Sequence, residues 1–354
     1  MKTLIESLCK EYAEKHRFSG VCLYREKGET VFAGAYGYAN RAYEIPNRID
    51  TRFDTASVTK VFTAAAVMQL VDAGKLHPED KITDLTDLSG TKIPKDVTIH
   101  HLLSHTSGIA DDADEEAGEN YSDLFRDSPN YAIRECKDFL KNFAYKEPNF
   151  KAGTNVRYCN CSFVLLGLAI EAVTGSSYRE YVRKNIFAKA GMTSTDFLSM
   201  DGINPNTAEG YILNDDGSWC KNIYSYPPQG TPDGGAYTTA EDLNRFLTAI
   251  RGNLLMGAEA SKALLSPQVP FTSPQSRDKI PGLYMQNGYA FEFLMLPDRE
   301  KPFCICKDGI NDGVAAKFSW YPEIDATLTF LANQNTNVWE MTRIIQRELY
   351  SRYY

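Results

Sequence analysis

The runs that read as β-strands lie at the two ends of this chain, and the long middle reads as helix and loop. Gly20–Tyr24 and Thr30–Tyr36 are apolar runs rich in strand formers, and Arg25-Glu26-Lys27-Gly28-Glu29 joins them as a hairpin turn. Strands return only at Tyr289–Leu296, Phe303–Lys307, Ala315–Tyr321 and Ala326–Ala332. Between and around them, helical spacing marks residues 3–15, 57–73, 161–174 and 240–250, and the last helix is Val338–Tyr353. Gly74 and Gly175 supply C-caps, and Thr238 with Glu241 reads as a capping box for the 240–250 helix. This order excludes the alternating βαβ pattern of a doubly wound sheet. It predicts an α+β fold in which one antiparallel sheet, flanked by helices, is built from both chain ends around an inserted helical lobe. The expected division is 1–75 plus 281–354 for the sheet-bearing lobe and 76–280 for the helical lobe, within one domain overall.

Charge narrows the partners. Lys and Arg number 38 against 46 Asp and Glu, a formal net charge of −8, which argues against a nucleic acid or an anionic membrane surface. No apolar run reaches the ~20 residues of a membrane span, and charges interrupt the N-terminus every few residues, so the expectation is a soluble, cytoplasmic chain. The pairs Cys159/Cys161 and Cys304/Cys306 have a spacing that zinc sites rarely use, and the eight cysteines are expected to be buried, reduced thiols. Segment 111–127 concentrates acid: Asp111, Asp112, Asp114, Glu115, Glu116, Glu119, Asp123 and Asp127 face a single base, Arg126. It reads as a solvated loop or as an acidic lip beside a cleft.

Three short motifs could carry chemistry. In Ser57-Val58-Thr59-Lys60 the two polar side chains are three apart at the start of an apolar helix, and so share a face. A serine hydroxyl attacks a carbonyl only with a base in hydrogen-bond reach, and a lysine serves once burial and the helix N-terminus disfavour its ammonium. In Tyr158-Cys159-Asn160 a phenol for proton relay stands two residues from an amide that can hold a carbonyl. In Lys307-Asp308-Gly309, at a predicted strand end, the glycine lets a substrate backbone lie against the strand edge. The Ile310 N–H beyond it can face an oxyanion. Taken alone, each motif also fits a structural role.

Together, in this order, they resemble the serine β-lactamases and penicillin-recognising hydrolases, especially the class C-like esterase and D-aminopeptidase branch. Asp50-Thr51-Arg52-Phe53-Asp54-Thr55-Ala56, His101-Leu102-Leu103-Ser104-His105-Thr106-Ser107-Gly108-Ile109 and Gly234-Gly235-Ala236-Tyr237-Thr238-Thr239-Ala240-Glu241-Asp242-Leu243 extend the resemblance nearly end to end. It implies a β-lactamase/transpeptidase-like fold and an acyl-enzyme mechanism without cofactor or metal. Ser57 is then the nucleophile, Lys60 its base or proton relay and Tyr158 a second proton shuttle. Asn160, Lys307 and Gly309 hold substrate, and the N–H groups of Ser57 and Ile310 form the oxyanion hole. The implied partner is a small ester, amide or β-lactam.

Asp308 stands where the lactamase-type motif has a small hydroxyl residue. Facing the cleft, it would repel a substrate carboxylate; strand alternation equally allows it to face away. The chain lacks a Gly-x-Ser-x-Gly elbow, and no Glu follows His101 to make a zinc motif with His105. The alternative to a hydrolase is a penicillin-binding-type receptor that acylates without turnover, or a binding protein.

Overall fold

The computed structural model describes residues 1–114, 117–270, 280, 282–297 and 301–354, and the side chains of Ser122 and Asp127 lie outside that description. Its main sheet has eight strands: β1 (Gly20–Glu26), β2 (Glu29–Tyr36), β3 (Val269–Pro270), β4 (Tyr284–Asn287), β5 (Glu292–Met295), β6 (Pro302–Asn311), β7 (Val314–Tyr321) and β8 (Ala326–Ala332). The order is β2-β1-β8-β7-β6-β5-β4-β3, antiparallel at every step. The two ends of the chain meet where β1 pairs with β8, Gly20 opposite Ala332 and Glu26 opposite Ala326. Val269–Pro270 also joins the sheet, from within the stretch expected to be helical.

β8 is buried at all seven positions because both faces of the sheet are covered. On one face, α1 (Lys2–Lys15) and the C-terminal helix (Val338–Tyr353) place Ile5, Leu8, Ile345 and Leu349 against Cys22, Leu328 and Phe330. The other face carries Val21, Ile305, Phe318 and Leu331, which pack into the larger core of the helical lobe. At the centre of that core is α2 (Lys60–Asp72), apolar nearly all round, with Phe62 edge-on to Phe187 and Phe246. Beside it runs α3 (Asn160–Thr174).

Two local expectations shift. The 240–250 helix spans Ala240–Arg251 and is capped by Thr239, which accepts the Asp242 N–H at 3.1 Å. Thr238 instead pairs with Phe53 in a short two-stranded element. β6 does not end at Lys307 but runs on to Asn311, because its turn is Asp312-Gly313, with Gly313 at φ +71°. Lys307–Gly309 therefore lies within a strand. It extends beyond β5, whose register with β6 stops at Glu292 opposite Cys306.

Candidate active site

Ser57 sits on a 3₁₀ turn, Ala56–Thr59, that leads directly into α2, so the helix expected from Ser57 opens with a tighter turn. With three residues per turn, Ser57 and Lys60 stand one above the other, and Lys60 Nζ lies 3.0 Å from Ser57 Oγ. The turn is held from below. Ala56 has φ +43°, a left-handed conformation that costs an alanine ~1 kcal/mol. Its N–H is fixed at 2.7 Å by Asp54 Oδ1, and Thr55 Oγ1 donates to the Ala236 carbonyl at 2.8 Å. Burial raises the Asp54 carboxyl to about 7.

Lys60, the first residue of α2, is completely buried. Besides Ser57, its Nζ meets Asn160 Oδ1 at 2.7 Å and the Asp233 carbonyl at 2.6 Å. Tyr158 approaches Ser57 from the other side, its hydroxyl donating to Ser57 Oγ at 2.7 Å. The phenol ring is flanked by Lys60 Nζ at 5.0 Å and Lys307 Nζ at 4.9 Å from its centroid. Beneath it lies His105, ring centroids 4.6 Å apart. His105 Nδ1 accepts the Cys159 N–H, and burial, reinforced by the charges of Lys307 and Lys60, holds the imidazole well below its ordinary range and neutral. Lys307 is itself buried and paired with Glu292 at 3.1 Å.

β6 closes the site. A Cβ on Gly309 would stand 2.1 Å from the Thr55 carbonyl oxygen and 2.9 Å from Ser57 N. The glycine therefore admits the Thr55–Ser57 backbone against the strand, where a substrate backbone was expected. Its neighbour Ile310 is exposed and, with Ser57, Tyr121, Phe125, Asn160 and Tyr226, lines a cleft. Asp308 points to the opposite face, where its carboxylate accepts the Trp339 indole N–H at 2.6 Å. It is a sheet-to-helix tie, not a cleft anion.

The family model described as Beta-lactamase matches residues 5–350. The chain belongs to the β-lactamase family. The crystal structure of a penicillin binding protein from Bacillus halodurans is 35% identical, with a TM-score of 0.88 over 97% of this chain and 99% of that one. Penicillin-binding protein 4* of Bacillus subtilis (strain 168) is 28% identical over 351 residues, covering 94% of this chain and 71% of its own length. Esterase EstB of Burkholderia gladioli is 29% identical over 269 residues, 68% of this chain and 67% of its own.

In this β-lactamase-family chain, the acidic segment divides: its first two acids turn inward, while Glu119 and Asp123 are exposed to solvent. Asp111 and Asp112 are buried. Asp111 accepts the N–H groups of Asn160 and Cys161 at 2.8 and 2.9 Å, capping α3 and fixing where Asn160 stands. Asp114 pairs with Arg157 at 2.6 Å, and Asp123 with Arg126 at 2.7 Å on the surface. Glu115, Glu116 and the Asp127 side chain lie outside the described residues. The sequence reading missed Asp111 as a cap, Tyr121, Glu292 and Asp233. Only Asp233 carried a nearby signal, standing directly before Gly234-Gly235. Seven of the cysteines are buried as expected; Cys220, on a short surface hairpin, is exposed.

Proposed function

We propose that this chain is a serine hydrolase that forms an acyl-enzyme on Ser57 from a small ester or amide. The observation that carries the proposal is the arrangement around Lys60. A neutral lysine amine has two hydrogens and one lone pair. The Asn160 and Asp233 carbonyl oxygens take the two hydrogens, so the lone pair is left facing Ser57 Oγ. Lys60 then accepts the serine proton as Oγ attacks the substrate carbonyl.

Negative charge develops on the carbonyl oxygen beside the N–H groups assigned to Ser57 and Ile310, and the close fit of Gly309 supports their adjacency. Tyr158, already on Ser57 Oγ, gives a proton to the leaving group. It later takes one from the water that releases the acyl group, and Lys60 returns its proton to Ser57 Oγ as that bond breaks. Asn160 and Lys307 complete the substrate contacts. The relatives named as esterase and as penicillin-binding proteins support acyl chemistry of this kind.

The test is a panel of p-nitrophenyl acetate, D-amino-acid amides and a penicillin, followed for both turnover and covalent labelling. Turnover of an ester or amide with transient labelling is the expected result. Labelling without turnover of any of them would favour the non-turnover receptor, and neither would leave a binding protein.

A further inference from the structure

Resting on the acyl-enzyme reading above, we infer that Tyr121 is the positioning residue that fixes which end of the Asn160 amide faces Lys60. It thereby sets the pH range over which the site works. An asparagine amide has two nearly isosteric ends, one accepting and one donating. Only the oxygen end gives Lys60 an acceptor; the NH₂ end would turn two donors toward a donor.

Asn160 shows its oxygen to Lys60 at 2.7 Å and its Nδ2 to the Tyr121 hydroxyl at 2.8 Å. The same hydroxyl lies 3.3 Å from Asp112 Oδ1 and donates to it. A phenol has one proton. Once that proton is directed at Asp112, the hydroxyl offers Asn160 only lone pairs, which accept from NH₂ and repel Oδ1. Asp112 Oδ1 also accepts the Ala113 N–H at 2.9 Å. It is therefore the accepting oxygen whether or not Oδ2 carries a proton, and burial, together with Asp111 and Asp233, pushes that carboxyl well upward. The chain Asp112–Tyr121–Asn160–Lys60 runs one way.

Tyr121 belongs to none of the three motifs. It opens the short helix Tyr121–Asp127 of the acidic segment, its ring stacked on Phe125 at 6.0 Å. The ring contact and the hydroxyl contact are separable, which makes Tyr121→Phe informative. With the hydroxyl gone, the amide is free to turn its NH₂ end toward Lys60, which opposes the ammonium. Among the described residues, the charged and titratable groups around Lys60 include Tyr158, His105, Lys307 with Glu292, and the carboxyls of Asp233, Asp111 and Asp112. All of them remain in this variant.

The experiment measures kcat and KM for a neutral p-nitrophenyl ester across pH in the wild type and Tyr121→Phe. Each protein is checked by thermal melting and by fluorophosphonate labelling of Ser57. Expected are a kcat lower by about tenfold, KM within about twofold, and an acid limb of the rate profile displaced to lower pH. Asn160→Asp supplies a second readout, because a carboxylate has oxygen at both ends and needs no orienting. In that background Tyr121→Phe is expected to change kcat by less than about threefold. A Tyr121→Phe enzyme with wild-type kcat and pH profile, or an equal loss in both backgrounds, would overturn the inference. If the wild type is labelled and Tyr121→Phe is unaltered, only this inference falls; an unlabelled wild type removes the reading beneath it as well.

Discussion

At Lys60 the number of hydrogens decides the chemistry. Nζ meets Ser57 Oγ, the Asn160 amide oxygen and the Asp233 carbonyl, and the last two cannot themselves give up a proton. Ser57 is the partner that can. A base here must therefore be able to exist uncharged, which arginine cannot do in a protein. Lys60→Arg keeps the charge and loses the lone pair, and kcat/KM for a small ester is expected to fall by about 10²–10⁴-fold. Retention of more than about a tenth of the activity would remove Lys60 from the role of base. His105 teaches the complementary lesson. Its imidazole, the side chain most often used as a base, is buried under Tyr158 with Nδ1 accepting the Cys159 N–H, so its contacts are with the phenol ring and the backbone rather than with Ser57 Oγ.

Among the elements, β6 and the 3₁₀ turn are the pair whose contact builds the site. Gly309 is where they touch, and Gly309→Ala would place a methyl 2.1 Å from the Thr55 carbonyl oxygen, a backbone atom that has nowhere to go. Strand and turn must separate, carrying the Ser57 and Ile310 N–H groups apart. The expected outcome is a loss of at least about 10²-fold in kcat with KM less affected, the signature of lost transition-state contacts. Wild-type kcat in a folded Gly309→Ala protein would deny that contact its role. The elements themselves were largely legible: Ala326–Ala332 and Val338–Tyr353 have the bounds that periodicity predicts, and Ser57, Lys60, Tyr158 and Asn160 come together as the motif order implied. What the sequence concealed depends on long-range pairing. Lys307-Asp308 looks like the end of a strand until Asp312-Gly313 is seen to close the hairpin, and which way Asp308 faces stays open until Trp339 is seen to take its carboxylate. Asp111 reads as one more acid in a solvated run because the helix N-terminus it caps is 49 residues away. Tyr121 had no periodic or motif signal at all.

For the molecule as a whole, the site is held by a sheet formed from both chain ends on one side and by a helical core on the other. Among the described residues, no single helix is long and apolar enough to cross a membrane. Burying so many carboxyls near the cleft gives the fold a pH signature. Asp54 titrates at about 7 in the fold against an ordinary 3.8, and Asp112 and Asp233 are displaced in the same direction, each chiefly by burial. Between pH ~4 and ~7 the folded Asp54 keeps a proton that the unfolded chain has shed, so its contribution favours the fold at the acid end and is lost as pH rises through ~7. Asp54→Asn keeps an acceptor for the Ala56 N–H and removes the titration. In urea unfolding at several pH values, its stability relative to the wild type is expected to rise steadily from pH ~4 to ~7. Parallel curves over that window would contradict the displaced carboxyl.

The most direct test of the central claim is to trap the covalent intermediate and locate it. Wild-type protein and Ser57→Ala are treated with a fluorophosphonate, weighed intact and mapped by peptide mass spectrometry. The expected result is one adduct per wild-type chain, on the peptide containing Ser57, no adduct on Ser57→Ala, and loss of p-nitrophenyl acetate turnover in the variant with its melting temperature retained. An adduct at another residue, or undiminished labelling and turnover in a folded Ser57→Ala protein, would contradict the account.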